Sequence, residues 1–142
     1  MAMNQRAAHD EVSLAQRAKR AGLRLLRARA KDALLFVALP AVYRKAARQP
    51  IIPGKALFLE NKESRLPESF QVMWSRLSEA PDLKLEFVSL GETRVRLRQY
   101  YRNCISFAKN IATAQYVFLN DASNVVSCLP LRPETKVVQL WH

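Results

Sequence analysis

The 142-residue sequence contains few of the residues that build metal centres and disulfide frameworks. It has two cysteines, Cys104 and Cys128, and two histidines, His9 and His142. Neither cysteine lies at a spacing typical of metal ligands, so we predict no metal site. Two isolated cysteines in a basic chain of this kind are instead typical of reduced residues in a hydrophobic core.

The sequence also lacks a hydrophobic run long enough to cross a membrane. The longest apolar stretch is residues 33–42, which include Pro40. A transmembrane helix needs roughly 20 apolar residues. The stretch lies too far from the start of the chain for a signal peptide, and no small-residue cleavage site follows it. If this segment meets a membrane, we expect it to lie on the membrane surface.

Acidic residues are scarce relative to basic ones. The chain has 23 Lys and Arg against 12 Asp and Glu, a formal net charge of +11. Residues 1–50 hold 11 of the basic residues and 3 of the acidic ones. This balance predicts an anionic partner, either nucleic acid, anionic lipid or a phosphate-rich substrate. Hydrophobic residues make up 49% of the chain, enough for a packed core.

Residues 11–32 predict a helix with one basic side. Proline is absent from the segment, and Ala, Leu and Arg dominate it. Basic residues at steps of three and four form a single stripe along a helix. The stripe consists of Arg17, Arg20, Arg24, Arg27 and Lys31. We predict that the helix continues or restarts through residues 33–47, with a kink or restart at Pro40.

Residues 49–54 contain two prolines and a glycine, which predict a linker. We therefore divide the chain into a basic amphipathic helical segment, residues 1–50, and a second domain, residues 51–142. In the second domain, short apolar runs alternate with amphipathic helices. The predicted strands are residues 56–59, 83–90, 116–119 and 136–140. One helix is predicted to begin at Pro67, and a longer one to cover about residues 92–114, with a short turn or partial helix at residues 125–126.

The core face of the longer helix is predicted from steps of four and three. Its members are Leu97, Tyr101, Cys104, Ala108 and Ile111. The order of elements predicts an α/β fold, a Rossmann-like parallel sheet with helices on both faces. Such sheets bind ligands beyond the carboxyl ends of their strands. The candidate segments are therefore residues 60–66, 91–94, 120–123 and 141–142.

Two segments near the end of the chain carry a family pattern. Residues 111–120 are IATAQYVFLN, and residues 136–142 are KVVQLWH. They resemble an ATAKY-apolar-apolar-x-(D/N) strand and a later strand ending in Q-x-WHG. Both belong to the CDP-glycerol glycerophosphotransferase family, the teichoic-acid polymerases and primases. The helix with Tyr100 and Tyr101 is similar to an aromatic-bearing helix of that family, and the resemblance covers residues 55–142.

The resemblance implies the N-terminal, acceptor-side half of a GT-B-type glycosyltransferase fold, ending at Trp141-His142. The implied enzyme transfers glycerol phosphate from CDP-glycerol to a lipid-linked teichoic-acid-type acceptor. His142 would be its general base, since a histidine near neutral pKa suits proton removal from a hydroxyl. The donor would be bound mainly by a C-terminal domain that these residues do not include. We therefore expect residues 1–142 alone to be inactive, and we expect no cofactor.

The loops after the strands supply further predicted contacts. By the same resemblance, an acceptor or its phosphate would contact Asn61, Lys62, Arg65 and Asn120. The loop of residues 61–67 matches the family pattern only loosely, because the family usually has a Ser/Asp/Asn-Pro element there.

A lipid-linked acceptor favours a membrane-surface role for the first segment, at the cytoplasmic face of a bacterial membrane. The predicted contacts with an anionic membrane surface are Arg17, Arg20, Arg24, Arg27, Lys31, Leu34, Leu35 and Phe36. The structural alternative is a helix packed on the domain with a solvated basic side. The alternative function is a basic nucleic-acid-binding module, although the sequence contains no recognised nucleic-acid-binding motif. We expect no nucleic acid partner.

Overall fold

The computed structural model describes residues 2–140 and, in the first helix, the side chains of residue 8 and of residue 10 onward. The chain forms two compact units that divide between Leu34 and Leu35. The first unit is a single long helix, α1 (Ala2–Ala33). Nearly every described side chain of α1 is exposed, including large apolar ones such as Leu14 and Leu26. Within the described residues, no helix combines the length and apolar character that a membrane crossing requires.

The second unit begins with a change in helical geometry. A π-helical stretch, Leu34–Ala38, crosses the unit boundary and leads into α2 (Leu39–Ala46). Pro40 lies in the first turn of α2, and the residue before that helix, Ala38, is itself helical with φ −69° and ψ −50°. The chain is thus helical through residues 33–46 without a break, and the irregularity at Pro40 is the π-helical stretch before it. The wider π-helical turn precedes it because proline cannot donate to the carbonyl of residue 36.

Four parallel strands form one sheet in the order β2-β1-β3-β4. The strands are β1 (Lys55–Glu60), β2 (Lys84–Ser89), β3 (Tyr116–Leu119) and β4 (Lys136–Gln139). The connecting helices are α3 (Glu68–Leu77), α4 (Leu97–Ile111) and α5 (Asn124–Ser127). The predicted α/β fold with a parallel sheet and flanking helices is confirmed. Of the two inner strands, β1 is the more deeply buried, with residues 56–60 all buried.

An aromatic cluster fixes one face of the sheet. The Phe58 ring meets the rings of Phe70 and Trp74 from α3 edge-on, with centroids 5.1 Å away in both cases. It also stacks on Phe118 of β3 at 4.6 Å. Because side chains alternate along a strand, Leu57 and Leu59 face the other side of the sheet. Burying side chains of this size stabilises the fold by roughly 1.5–3 kcal/mol each.

The start of α4 corrects the sequence prediction. The helix begins at Leu97 rather than Glu92, because Gly91 adopts a positive φ of 66°. The carbonyl of Gly91 accepts from the N–H groups of Arg94 and Val95, at 3.0 and 3.2 Å. These bonds close a turn after β2, and α4 begins only after this turn, at Leu97.

The core face of α4 is also partly corrected. Cys104, Ala108 and Ile111 are buried as predicted, together with Tyr100 and Phe107. Leu97 is 49% exposed, and Tyr101 is only half-buried. The adjacent tyrosines fit a helical period almost equally well, so the pattern did not decide which one faces inward. Neither Cys104 nor Cys128 is in a disulfide; Cys104 lies in the core and Cys128 is half-buried.

Candidate functional site

The candidate site lies where the strands end. The register pairs Leu59 of β1 with Val88 of β2 and with Leu119 of β3, so the three strands end at one edge of the sheet. A cavity of about 410 Å³ opens at this edge. Four of its lining residues follow β1 or β3, namely Asn61, Lys62, Asp121 and Ala122. The others are Glu92 after β2, Tyr100 in α4, and Asn124 and Val125 in α5.

Asn61 connects the three loops that surround the cavity. Its side-chain Nδ2 donates to the carbonyl of Ala122 at 3.3 Å, which joins the loops after β1 and β3. Its backbone carbonyl accepts from the N–H of Glu92 at 2.8 Å, which adds the loop after β2. Asn61 therefore joins the loops after β1, β2 and β3 at the cavity that it also lines.

A buried polar network lies at the ends of β1 and β3, next to the residues that line the cavity. Glu60 and Asn120 are 3% and 8% exposed, and Asn120 Nδ2 donates to Glu60 Oε2 at 2.8 Å. The second oxygen, Glu60 Oε1, accepts from the N–H of Lys62 at 2.9 Å. Ser69 in α3 donates its hydroxyl to Asn120 Oδ1 at 2.5 Å. Buried polar groups need such partners, because an unpaired one is costly to desolvate.

This network changes the interpretation of Asn120. The sequence predicted an acceptor contact, but Asn120 is absent from the cavity lining described above. Its amide links β1, β3 and α3 instead, so we assign it a positioning role. Its partner Glu60 lies in the predicted segment of residues 60–66 but was not predicted as a site residue, although a carboxylate that ends an apolar run was a visible signal.

The predicted basic contacts separate in the structure. Lys62 lines the cavity and is exposed. Arg65 is also exposed, but it does not belong to the lining. The loop between them is anchored by Glu63, whose carboxylate pairs with Arg94 at 2.9 Å. Ser89 donates its hydroxyl to the Glu63 carbonyl at 2.6 Å.

Tyr100 brings the phenol of α4 to the cavity. The side chain is 7% exposed, and burial, followed by the neighbouring Cys104, raises the pKa of its hydroxyl. The hydroxyl therefore stays protonated at neutral pH, and it is already hydrogen-bonded to the side chain of Cys104. The helical spacing predicts Tyr101 on the core face, so Tyr100 was not among the predicted site residues.

Trp141 and His142 lie outside the described residues, so the general-base role of His142 stays a prediction. The strand that leads to them is described. Gln139 ends β4 opposite Leu119, and Leu140 then donates its N–H to the Leu119 carbonyl at 2.9 Å. The carboxyl end of β4 thus lies at the edge of the sheet where the cavity opens.

The predicted membrane-surface residues fall into two groups. The four arginines of the basic stripe are exposed, and Lys31 is partly exposed. Phe36 is also exposed, at 66%. Leu34 and Leu35 are only 7% and 6% exposed. Buried side chains offer no area to a lipid surface, so the structure corrects the prediction for these two leucines. The neighbouring Val37, which was not predicted, is 68% exposed.

Within residues 2–140, no group of three or more His, Cys, Asp or Glu side chains could hold a metal ion. The polar lining of the cavity consists of two carboxylates, Glu92 and Asp121, the amides of Asn61 and Asn124, the ammonium of Lys62 and the phenol of Tyr100.

Comparison with known proteins relates part of the chain to a distant enzyme. No protein-family model matches the chain. A teichoic acid ribitol-phosphate primase from Bacillus spizizenii (strain ATCC 23059 / NRRL B-14472 / W23) is 23% identical to it over 99 residues. The matched region covers 68% of this chain and 25% of the primase. The chain therefore corresponds to about a quarter of the length of that relative.

Proposed function

We propose that this chain is the acceptor-side domain of a bacterial polyol-phosphate transferase of teichoic-acid biosynthesis. The observation that carries the proposal is the family pattern of residues 111–120 and 136–142, within which residues 116–119 form β3 and residues 136–139 form β4 of a parallel sheet. The distant similarity to a teichoic acid primase supports the same assignment. The cavity lies where Rossmann-like sheets bind their ligands.

The proposed reaction moves the polyol phosphate of CDP-glycerol to a hydroxyl of a lipid-linked acceptor. The similar primase is named for ribitol phosphate, so CDP-ribitol is the second donor to consider. The acceptor oxygen forms a bond to the phosphorus of the polyol phosphate as the bond to CMP breaks. His142 takes the proton of the attacking hydroxyl, and CMP leaves with the bonding electron pair. The donor is held mainly by the second half of a GT-B-type fold, beyond residue 142.

The test uses the complete gene product that contains this chain. Purified enzyme is mixed with radiolabelled CDP-glycerol or CDP-ribitol and a lipid-linked acceptor, and the labelled lipid and released CMP are measured. We expect transfer by the complete protein and none by residues 1–142 alone. Transfer from neither donor would overturn the proposed function. Turnover by residues 1–142 would overturn the assignment of donor binding to the second half.

A second part of the proposal concerns location. We place the enzyme at the cytoplasmic face of the membrane, with the basic stripe of α1 on anionic lipid. The exposure of the stripe supports this placement. In the second unit, the exposed apolar side chains of Phe36 and Val37 provide groups that insert between lipid headgroups. Nucleic acid is the alternative partner of the same arginines.

Binding to vesicles distinguishes these partners. Replacing Arg20, Arg24 and Arg27 with glutamine is expected to weaken binding to phosphatidylglycerol-containing vesicles roughly 100-fold, since each basic residue near an anionic surface contributes about 1 kcal/mol. The matched control replaces the exposed basic residues Arg76, Lys84 and Lys136, and only a small loss is expected. Salt-sensitive binding to RNA without binding to vesicles would instead support the nucleic-acid-binding module.

A further inference from the structure

We propose that a groove between α2 and α4 binds an anionic phospholipid, with the lipid phosphate between the ammonium groups of Lys45 and Lys109. The groove has a volume of about 430 Å³. Its lining consists of Val42, Lys45, Ala46 and Gln49 from α2 and the turn after it, and of Lys109 from α4. The proposal rests on the membrane location proposed above and adds to it a site for one lipid molecule within the second unit.

The charge of the groove carries the first step of the argument. Among the described residues that line it, two are lysines and none is acidic. Both lysine side chains are exposed, so an incoming ligand can reach them. Arg132 adds a third positive charge beside the groove, because it donates to the carbonyls of Gln49 and Ala112, which are uncharged acceptors. Opposite charges attract, so the groove favours an anion.

The two lysines are not required to cap the helices on which they lie. Basic side chains near a helix C-terminus often bond its last carbonyls. At the end of α2, the carbonyls of Tyr43, Lys45 and Ala46 accept from backbone N–H groups instead. At the end of α4, Lys55 Nζ donates to the carbonyl of Asn110 at 3.0 Å. Both groove lysines can therefore turn to an external anion.

The apolar part of the groove favours a lipid over a free phosphate ion. Val42 and Ala46 lie one turn apart on α2, and both are half-buried. Lysine stems also cover apolar surface while their ammonium groups reach water. Phe36, in the π-helical stretch that leads into α2, is exposed. A phospholipid joins a phosphate to a glycerol and acyl chains, so it matches both parts of the lining, whereas inorganic phosphate matches only the lysines.

This groove is separate from the cavity at the sheet edge. Tyr100, which lines that cavity, lies in the first turn of α4, and Lys109 lies in the last turn of the same helix. At a rise of 1.5 Å per residue, the two positions are about 13 Å apart along the helix axis. A lipid held by Lys109 therefore does not occupy the cavity.

Nuclear magnetic resonance on the 142-residue chain tests the binding. The probe is dihexanoyl phosphatidylglycerol below its critical micelle concentration, compared with dihexanoyl phosphatidylcholine and with glycerol 3-phosphate. We expect the anionic lipid to shift the Ala46 methyl signal and the Gln49 side-chain amide signals at concentrations at least tenfold below those of the other two. An equal response to glycerol 3-phosphate would show a site for small anions and would overturn the lipid assignment. So would the absence of any response to the anionic lipid.

A pair of substitutions tests the role of the lysines. Lys45→Gln with Lys109→Gln is expected to weaken binding of the short-chain phosphatidylglycerol about tenfold or more, because each lysine attracts the phosphate. The matched control, Lys84→Gln with Lys136→Gln, neutralises two exposed lysines outside the lining and is expected to leave the affinity unchanged. An equal loss in both variants would indicate a general charge effect and would contradict the site.

The vesicle measurements described above separate this inference from the proposed location. If the arginine variant of α1 loses vesicle binding but the groove signals do not respond to the short-chain lipid, the location stands and the inference fails. If the arginine variant binds vesicles as the wild type does while the groove signals respond, the placement of α1 on lipid fails and the lipid site stands.

Discussion

Replacing Gly54 with alanine is expected to lower the free energy of unfolding of the second unit by about 2–5 kcal/mol. Gly54 has a φ of 79°, a conformation that costs residues with a Cβ roughly 1–2 kcal/mol. An added Cβ would also overlap the backbone carbonyl oxygen of Asp82 and lie 3.1 Å from its carbonyl carbon. Forcing atoms into packed space typically costs a further 1–3 kcal/mol.

The neighbours of Gly54 cannot move away cheaply, because they begin three strands of the sheet. The carbonyl of Gly54 accepts from the N–H of Lys84 at 2.8 Å, where β2 starts. Its N–H donates to Gln115 Oε1 at 2.7 Å, just before β3. A shift that relieves the clash with Asp82 would therefore break contacts to β2 and β3 at once.

Gly22 provides a matched control for this prediction. It lies inside α1, and an added Cβ there meets nothing within 4 Å. Alanine at this position is expected to stabilise the helix by roughly 0.5–1 kcal/mol, because glycine loses more backbone freedom on folding. Urea unfolding followed by tryptophan fluorescence and helical circular dichroism measures both variants. A cost below 1 kcal/mol for Gly54→Ala would contradict the close packing described here.

The order of strands and helices was predictable because it depends on local periodicity. The strand β1 and the helix after Pro67 each correspond to one uninterrupted stretch of sequence with a clear pattern. The third strand, residues 116–119, was predicted with the observed bounds. A parallel sheet followed from the alternation alone. The sequence did not reveal that Gly54 is packed against the start of β2. Proline followed by glycine occurs both in flexible linkers and in tightly packed turns, so the two residues alone do not distinguish these structures.

The position of the candidate site could be predicted from the sequence, but not all of the residues that form it. Residues after each strand were expected at one edge, and Asn61, Lys62 and Asp121 do line the cavity there. The pairing of Glu60 with Asn120 joins residues far apart in the chain, and no local pattern encodes it. Tyr100 was missed for a different reason, since a rotation of α4 by one residue exchanges it for Tyr101.

The sequence also did not show which of the apolar residues that follow α1 are buried. Four consecutive residues from Leu34 to Val37 are all hydrophobic, so composition alone does not separate those that face the core from those that face outward. The structure buries the two leucines and exposes Phe36 and Val37. A π-helical turn changes the angle between successive side chains, which a pattern based on 3.6 residues per turn does not anticipate.

Replacing His142 with alanine in the complete protein is expected to lower kcat for polyol-phosphate transfer by about 10²–10⁴-fold, the usual contribution of a general base. The attacking hydroxyl is a weak nucleophile while it keeps its proton, and water would have to accept that proton in the variant. Donor affinity should change little, because the proposed donor contacts lie in the second half of the enzyme. Steady-state transfer assays and separate titrations of the CDP-polyol measure the two quantities.

The exposed Lys136, at the other end of β4, gives the control. Lys136→Ala perturbs the same strand without removing the imidazole, so its kcat should stay within about threefold of the wild type. A loss confined to kcat in His142→Ala, with an unchanged unfolding curve, distinguishes proton transfer from a defect in folding.

The pH profile adds an independent check, since a histidine base loses its function as it protonates near neutral pH. Activity of the wild type should fall on the acidic side, and the residual activity of the variant should lose that dependence. If the variant keeps its kcat and its activity still falls at acidic pH, His142 is not the general base.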